Sequence, residues 1–430
     1  MHDILSHDVD HAGLACADAR SQREREVPVD AAIGRAMELC RSSGFDVRIE
    51  PVAVTADDKG PDFRIVSCVM SESDRVVARG SGKGLAAQST ASALFEALEN
   101  YYMLRRNRAW EPAPDVAPVS VLVTDVELSI DRLYTMMHDW QPSGNIATFP
   151  YGSAHASTAD VPVALGDVGY RDYSHPGDDF DYRPFNKYFS TNGIASGSTI
   201  NEAVVHGLLE LLERDAVSRA LLGVAGIARP TARRVDFGSL PQDLSNVVQQ
   251  IVERSGIAPT LYMLETLGGA TTFYAVVRRD EGTFSFTGAG CSIWPDYAVE
   301  RAINELWQSI SMTSALNLWT KTRHAFDRLS RYEPLLRTMK PRPVDLCADP
   351  ATTVPIDAAR DPEEPASPGT VLDRITAQLD QEGFACFWRP LLDAEVKVVH
   401  VYVPGLERFM LVTQGNPLLP TGADVPRRAD

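Results

Sequence analysis

Three segments of the sequence share one pattern, in which polar side chains recur every three or four residues within an otherwise apolar helical stretch. In chain order the sets are Ser92, Glu96 and Glu99, then Glu202, His206, Glu210 and Glu213, and finally Arg301, Glu305 and Gln308. Side chains at this spacing share one face of a helix. Converging carboxylates supply the oxygen ligands that Mg²⁺ prefers, and Mg²⁺ beside Lys and Arg is typical of a site for nucleotide phosphates.

The second segment is the most informative, because its surroundings are the most apolar. In NEAVVHGLLELLERDAV, every residue between Ala203 and Glu213 other than His206 and Glu210 is apolar or Gly. Such a helix is expected to be buried on most of its circumference, where an uncompensated carboxylate costs free energy. We therefore expect a cation here. The alternative is a solvated helix face, the commoner explanation for the first segment taken alone, and a lone His206 is more often a core histidine than a ligand.

Two glycine-rich stretches differ from the known phosphate-binding loops. In GSGKG, Lys83 is followed by Gly84, whereas a P-loop requires Ser or Thr after its lysine. GAGCSI, with Gly288 and Gly290, has too few glycines for a dinucleotide fingerprint. A lysine between flexible glycines can still reach a phosphate, so we expect Lys83 in a loop beside the site.

Helix and strand patterns alternate along the chain, which predicts a mixed α/β (α+β) fold. Helices are predicted from about Ala31, over the three polar-striped segments with Ser89 or Thr90 near the first cap, and over TVLDRITAQLDQEG. Strands are predicted in DVRIEPVAV, PDFRIVSCVM, DRVVARG, SVLVTDVEL, TTFYAVVRR, GTFSFTGAGCSI and VKVVHVYVPGL. Residues 1–27 are interpreted as a loosely held polar extension, 105–190 as mainly loops, 340–370 as a Pro-rich surface excursion and 411–430 as a Pro-containing tail.

The composition narrows the functional class. A formal net charge of −17 argues against non-specific nucleic-acid binding, which needs a basic surface. The six cysteines form no CxxC pair, so we expect neither a zinc site nor disulfides. We find no signal peptide and no apolar run long enough to cross a membrane, so a cytoplasmic protein is expected.

Four stretches, in a fixed order, resemble the YcaO family. They are GSGKG followed by STASALFEALENYY, TNGIASGSTINEAVVHGLLELLERDAVSR, AVERAINELWQS and VYVPGLE. The resemblance implies a catalytic domain over about residues 28–410, with a YcaO-like fold and a helix-lined site for ATP and Mg²⁺. It also implies an activity, the ATP-dependent phosphorylation of a backbone amide oxygen after a nucleophile attacks the peptide carbonyl.

The resemblance further implies which residues bind. By motif position, the nucleotide would be contacted by Lys83, Ser92, Asn192, Ser196, Glu202, Arg214, Arg301 and Gln308. Mg²⁺ and the phosphates would be held by Glu96, Glu99, Glu210, Glu213 and Glu305. No Ser-His-Asp or Cys-His set is needed. The candidates for a catalytic role are Pro417 and Pro420 in the C-terminal tail, which azoline-forming members use in a more regular form, and His206.

The product and the partners follow from the same resemblance. Cyclodehydration of Cys, Ser or Thr to an azoline in a ribosomally made peptide is favoured, and thioamide or amidine formation by the same activation is the alternative. A non-catalytic scaffold subunit is disfavoured by the retained glutamates. The first 27 residues are too few for a leader-peptide-binding domain, so we expect a separate leader-binding partner, together with a homodimer of this chain.

Overall fold

The computed structural model describes residues 20, 22–52, 63–103, 113–154, 156–278, 284–315, 319–356 and 366–423. Helices and strands are interleaved throughout this part of the chain, which confirms the mixed α/β class. The helices are α1 (Val29–Ser42), α2 (Ala86–Met103), α3 (Val119–Leu122), α4 (Arg132–Trp140), α5 (Val163–Gly166), α6 (Ile200–Val224), α7 (Gln242–Ser255), α8 (Pro295–Ala315), α9 (Trp319–Leu329), α10 (Glu333–Leu336), α11 (Pro343–Leu346) and α12 (Pro368–Gln381).

The strands form three sheets within the described ranges. They are β1 (Asp46–Pro51), β2 (Phe63–Glu72), β3 (Arg75–Leu85), β4 (Asp115–Pro118), β5 (Asn145–Ser153), β6 (Thr158–Pro162), β7 (Ile194–Gly197), β8 (Arg233–Val235), β9 (Thr260–Leu264), β10 (Thr271–Val277), β11 (Phe286–Ser292), β12 (Thr353–Val354), β13 (Phe387–Asp393) and β14 (Lys397–Tyr402). The sheet orders are β1-β2-β3, β11-β10-β9-β8-β12 and β4-β5-β13-β14-β7, with β6 paired to β5. Only β12 and β8 pair in parallel among these described pairs.

The long helix α6 lies at the centre of the molecule, as its apolar sequence predicts. Thr199 caps it by accepting a hydrogen bond from the backbone N–H of Glu202 at 3.2 Å. Leu208, Leu209 and Leu212 are fully buried. The helix packs on β7, β14 and β11, so it joins two of the three sheets. A polar stripe on such a helix must therefore face an internal space.

The stretch GSGKG is not the expected loop, because it lies in strand β3. The reason is close packing on α2. A Cβ atom at Gly80 would come within 2.1 Å of the Ala93 carbonyl oxygen, and one at Gly82 within 1.8 Å of the Ser89 carbonyl oxygen. Only glycine allows the strand to approach the helix so closely. Gly288 and Gly290 repeat this packing in β11 against α8.

The start of α2 was also predicted wrongly. The helix begins at Ala86, and the hydroxyls of Ser89 and Thr90 do not cap it. Both donate back to the Ala86 carbonyl oxygen, at 3.0 and 2.9 Å. The two alanines at the start favour helix strongly enough that the hydroxyl residues fall inside it.

Two other regions are more regular than the sequence suggests. SVLVTDVEL is not a strand: it forms α3 and then turns, in which the Asp125 carboxylate accepts the N–H groups of Glu127 and Leu128 at 2.9 and 3.0 Å. The segment 105–190, expected as mainly loops, contributes β4, β5 and β6 to a sheet over its described part. Within 340–370, Leu346 and Cys347 are buried and β12 extends a sheet, while residues 357–365 lie outside the described residues. No helix of the described chain is long and apolar enough to cross a membrane.

Candidate functional site

A cleft of about 510 Å³ lies where the three polar-striped helices meet. Its walls are α2, α6 and α8, strands β3, β7 and β11, and Glu24 and Arg25. The last two belong to residues 22–28, which with Arg20 we call the N-terminal strap. Every residue of the three stripes lines this space. The structure thus brings together side chains that are more than 200 positions apart in the sequence, as the shared pattern predicts.

Eight glutamates of the described chain line the cleft. Four of them are held by backbone N–H groups: Glu96 by Ser81 at 3.2 Å, Glu99 by Ser196 at 2.9 Å, Glu210 by Gly193 at 3.1 Å and Glu305 by Ala289 at 3.1 Å. Ser81 and Ala289 each stand between the two glycines that pack on a helix, so the close strand–helix contact is what brings these N–H groups to the glutamates. The two strand–helix units are built alike.

The glutamates that face the cleft keep hydrogen-bonding capacity. In Glu96, Glu99 and Glu305 the hydrogen bonds within the described chain use one carboxylate oxygen, and the other is not engaged. Glu210 and Glu213 pair with Arg214, at 3.6 and 3.0 Å. Anchored carboxylates with open oxygens suit a hard cation, and Mg²⁺ commonly uses one or two of them and completes its shell with phosphate and water. No three metal-ligating side chains of the described residues converge on one point. The cleft therefore fits a metal that is bound by one or two carboxylates and completes its shell with phosphate and water.

The pKa values of several cleft glutamates are shifted from their ordinary values. Burial raises the pKa of Glu99 to about 8, and the neighbouring Glu96 and Glu210 add to the rise. Burial likewise raises the pKa of Glu96 and Glu213. For Glu305, burial is outweighed by Lys83, Arg214 and the Ala289 N–H, so its pKa is lowered. Three carboxylates confined together and disfavoured as anions, those of Glu96, Glu99 and Glu213, call for added positive charge.

His206 and several cations also line the cleft. The imidazole is exposed to the cleft, and desolvation lowers its pKa to about 3, with further lowering by Arg301, Arg25 and Lys83. His206 is therefore neutral at physiological pH. It is not an ordinary core histidine, because it stands inside the site. The three cations make the cleft suitable for phosphate oxygens.

The remaining predicted contacts divide into two groups. Ser92, Ser196, Arg214 and Gln308 line the cleft, and the Gln308 amide donates to the Ser81 hydroxyl at 3.4 Å. Asn192 lies instead on a second cavity of about 40 Å³ behind Arg214.

The carboxylate of Glu202 lines the cleft but is already used. It accepts the backbone N–H groups of Glu26, Val27 and Ser198, so it holds the strap against α6.

The C-terminal candidates lie outside the cleft. Neither Pro417 nor Pro420 lines it. The carbonyl oxygen of Pro417 accepts a hydrogen bond from Lys187 at 2.9 Å, and the chain beyond it is buried at Leu418 and Thr421. Residues 424–430 of the predicted tail lie outside the described residues. A catalytic role for the two prolines stays a prediction.

The strap is the part of the site that the sequence did not reveal. Arg20 is only 2% exposed and pairs with Glu300 at 2.5 Å and with Asp243. Glu24 and Arg25 project into the cleft. The described part of residues 1–27 is therefore not a loosely held extension, because Arg20 and Arg23 pair with carboxylates of α7 and α8. The alternating charges of REREVP were the available signal, and they fit a solvated segment equally well.

Comparison with known proteins agrees with this geometry. The sequence model of the family described as "YcaO cyclodehydratase, ATP- and Mg²⁺-binding" matches residues 81–407, well over half of the chain. This chain belongs to the YcaO family. ATP and Mg²⁺ are its cofactors, and the resemblance found in the motifs is confirmed.

Three individual proteins are similar to this chain. An uncharacterised protein of Methanothermobacter thermautotrophicus is 28% identical over 352 residues, covering 78% of this chain and 83% of the relative. The structure described as YcaO from Methanopyrus kandleri bound with AMPPCP and Mg²⁺ has a TM-score of 0.63 at 18% identity, covering 94% of this chain and 96% of that one. A heterocyclase in complex with substrate and cofactor has a TM-score of 0.64 at 20% identity, covering 90% of this chain but 54% of its own. The chain therefore spans about half of the heterocyclase, and the two structures show the shared fold.

Proposed function

We propose that this protein uses ATP to phosphorylate a backbone amide oxygen in a ribosomally made peptide, and that the product is an azoline formed from Cys, Ser or Thr. The observation that carries the proposal is a single cleft that combines anchored glutamates having open oxygens with the cations Lys83, Arg25 and Arg301. A metal–polyphosphate group complements both sets, because it carries a cation and anionic oxygens.

The chemistry explains why ATP is needed. A side-chain thiol or hydroxyl of the peptide adds to the carbonyl carbon and loses its proton, which leaves an oxyanion. That oxygen takes the γ-phosphoryl group, and ADP leaves. The C–O bond then breaks with loss of inorganic phosphate and of the amide N–H proton, which closes the C=N bond of the azoline. Phosphorylation is required because an unmodified amide oxygen is a poor leaving group.

The chain's own residues contribute positioning and charge. We assign the nucleotide phosphates to Lys83, Arg301 and the hydroxyls and amide at Ser92, Ser196 and Gln308. The metal is assigned to Glu96, Glu99, Glu210, Glu213 and Glu305, where it would neutralise charge on the transferring phosphoryl group. Arg214 fixes two of these glutamates.

Neutral His206 is the candidate for proton transfer that the cleft favours. It stands among the cations and lines the space where the amide would enter. A neutral imidazole can accept the proton of the attacking thiol or hydroxyl, although its low pKa makes it a weak base. The tail prolines remain the second candidate.

The same activation supports thioamide or amidine formation if the nucleophile is a sulfide source or an amine. The test is mass spectrometry of a candidate Cys-, Ser- and Thr-containing precursor peptide after incubation with the enzyme, Mg²⁺ and ATP. We expect a loss of about 18 Da for cyclodehydration, against a gain of about 16 Da for O-to-S exchange. A peptide unchanged in mass while ATP is not consumed would favour the scaffold alternative.

We also propose that a separate leader-binding protein delivers the peptide and that the enzyme is a homodimer. Delivery by a partner raises the effective concentration of the reacting amide at the cleft. The same assay, run with and without the candidate partner, tests this: a rate that does not depend on the partner contradicts it.

A further inference from the structure

The N-terminal strap lies beside the cleft and touches all three glutamate-bearing helices. Arg23 pairs with Asp296 of α8 at 2.6 Å and lies over the Trp294 ring. Backbone N–H groups of the strap bind Glu202 of α6, as described above. Arg25 donates to Gln88 of α2 at 3.1 Å. These anchors fix the backbone on both sides of Glu24 and Arg25, so the two side chains are presented to the cleft in a defined place.

The two side chains differ in how they are satisfied. Glu24 accepts the Ser292 hydroxyl at 2.6 Å and pairs with Arg301 at 3.3 Å. Arg25 forms no ion pair with any described residue, and Gln88 is its hydrogen-bond partner. A guanidinium carries five N–H donors, of which one is used here. In a cleft lined by eight glutamates, an arginine without a carboxylate partner is conspicuous.

The position of Arg25 indicates what it binds. Arg25, Arg301 and Lys83 line the same cleft. Lys83 also forms no ion pair within the described ranges, and Arg301 pairs with Glu24. Three cations in one cleft, two of them without an ion pair in the described chain, form a site for a polyanion.

We propose that Arg25 is a phosphate-binding residue of the nucleotide site, and that the strap is a structural wall of that site. The inference rests on the proposed ATP-dependent function. Glu24 complements Arg25, because its ion pair orients Arg301 toward the cleft. The ligand class is the phosphate chain of a nucleotide, bound through charge-assisted hydrogen bonds.

The test is calorimetric titration of the full-length protein with ATP and, separately, with pyrophosphate, both in Mg²⁺. Arg25→Gln should weaken the binding of each by about tenfold or more, since each loses a charged hydrogen bond. Arg25→Lys should recover part of the loss, because it keeps the charge but not the fork of donors. The matched control is Arg35→Gln on the exposed face of α1, which removes the same charge and should change binding less than twofold.

The outcomes separate this inference from the proposed function. Wild-type affinity for ATP in a folded Arg25→Gln variant overturns the assignment of Arg25. Weaker binding of ATP with unchanged binding of pyrophosphate also overturns it, because the contact would then be to the nucleoside. If Arg25→Gln fails to fold, the Lys variant decides: ATP and pyrophosphate affinities that both match the wild type within error, despite the altered donors, count against a phosphate contact. Failure of the wild-type protein to bind ATP would instead contradict the proposed function.

Discussion

The cleft and the C-terminal segment both enclose several charged side chains, and they satisfy them differently. We call the second set the C-terminal network; it consists of Asp131, Asp215, Arg219, Tyr402, Glu407 and Arg408. Asp131 accepts Arg408 at 2.6 and 3.1 Å, the Tyr402 hydroxyl at 2.7 Å and a backbone N–H. Glu407 accepts the N–H groups of Thr421 and Gly422. Every carboxylate oxygen of this network has a donor.

In the cleft, by contrast, three glutamates leave an oxygen open, and burial raises the pKa of most of the acidic side chains there. A satisfied network needs nothing more and holds the chain in place, whereas an unsatisfied one is a cost that a ligand can relieve. This difference indicates that a buried charged side chain points to a ligand site only where some of its hydrogen-bonding atoms have no partner in the protein. It also predicts that removing a charged side chain costs more stability in the C-terminal network than in the cleft.

The largest effect is expected from breaking the C-terminal network. Arg408→Met leaves Asp131, which is fully buried, without its cation, so the free energy of unfolding should fall by about 3–5 kcal/mol in denaturant titrations. Arg183→Met is the control, because it breaks an ion pair of similar length, 2.8 Å, whose arginine is 87% exposed. A loss no greater than that of the control would show that the network is not structural.

Removing charge from the cleft should affect turnover instead. Glu213→Gln and Glu210→Gln should lower ATP turnover, measured with peptide present, by about 100-fold or more, as expected for loss of a metal ligand. Each variant also loses an ion pair with Arg214, but the other glutamate still pairs with that arginine and burial disfavours the carboxylate of Glu213, so stability should fall by less than in Arg408→Met. Glu253→Gln on the exposed face of α7 is the matched control. Normal ATP turnover in both cleft variants would remove the metal assignment.

Truncation of the C-terminal tail tests both regions, because it can affect the stability of the C-terminal network and the activity of the cleft. Deleting residues 421–430 removes two hydrogen bonds to Glu407 and the one between the Ala423 N–H and Gly405, so we expect a loss of about 1–3 kcal/mol of stability. Deleting only 424–430 keeps these bonds. If the tail is catalytic, the shorter deletion should slow product formation at unchanged thermal stability. Full activity in that variant would leave proton transfer to His206.

The helices of the site were predictable because their polar and apolar residues recur with the 3.6-residue period of a helix, and this pattern is visible in the local sequence. Glu210 and Glu213 were correctly placed on a buried stripe for this reason. The strap was not predictable, because its conformation depends on partners such as Glu300 that are far away in the sequence. The same holds for GSGKG: glycine propensity indicates a loop, and only the packing of Gly80 and Gly82 on α2 explains a strand. The local sequence pattern thus predicted the helices of the site. Contacts between residues far apart in the sequence determine the conformation of the strap and of GSGKG.

The last prediction concerns the pH dependence of stability, and it tests the glutamates of the cleft in the absence of ligand. Because the pKa of Glu99 is about 8 in the folded chain against 4.5 for the free side chain, the folded state keeps a proton that the unfolded state loses between these values. The free energy of unfolding should therefore fall as pH rises from about 5 to about 8, by at most about 1.4 kcal/mol per pH unit for one proton. Glu99→Gln removes the titration while its amide oxygen can still accept the Ser196 N–H, so the slope should flatten. The exposed Glu253→Gln should keep the wild-type slope. Denaturant titrations at several pH values measure both, and identical slopes in all three proteins would mean that Glu99 is an ordinary carboxylate, as well satisfied as those of the C-terminal network.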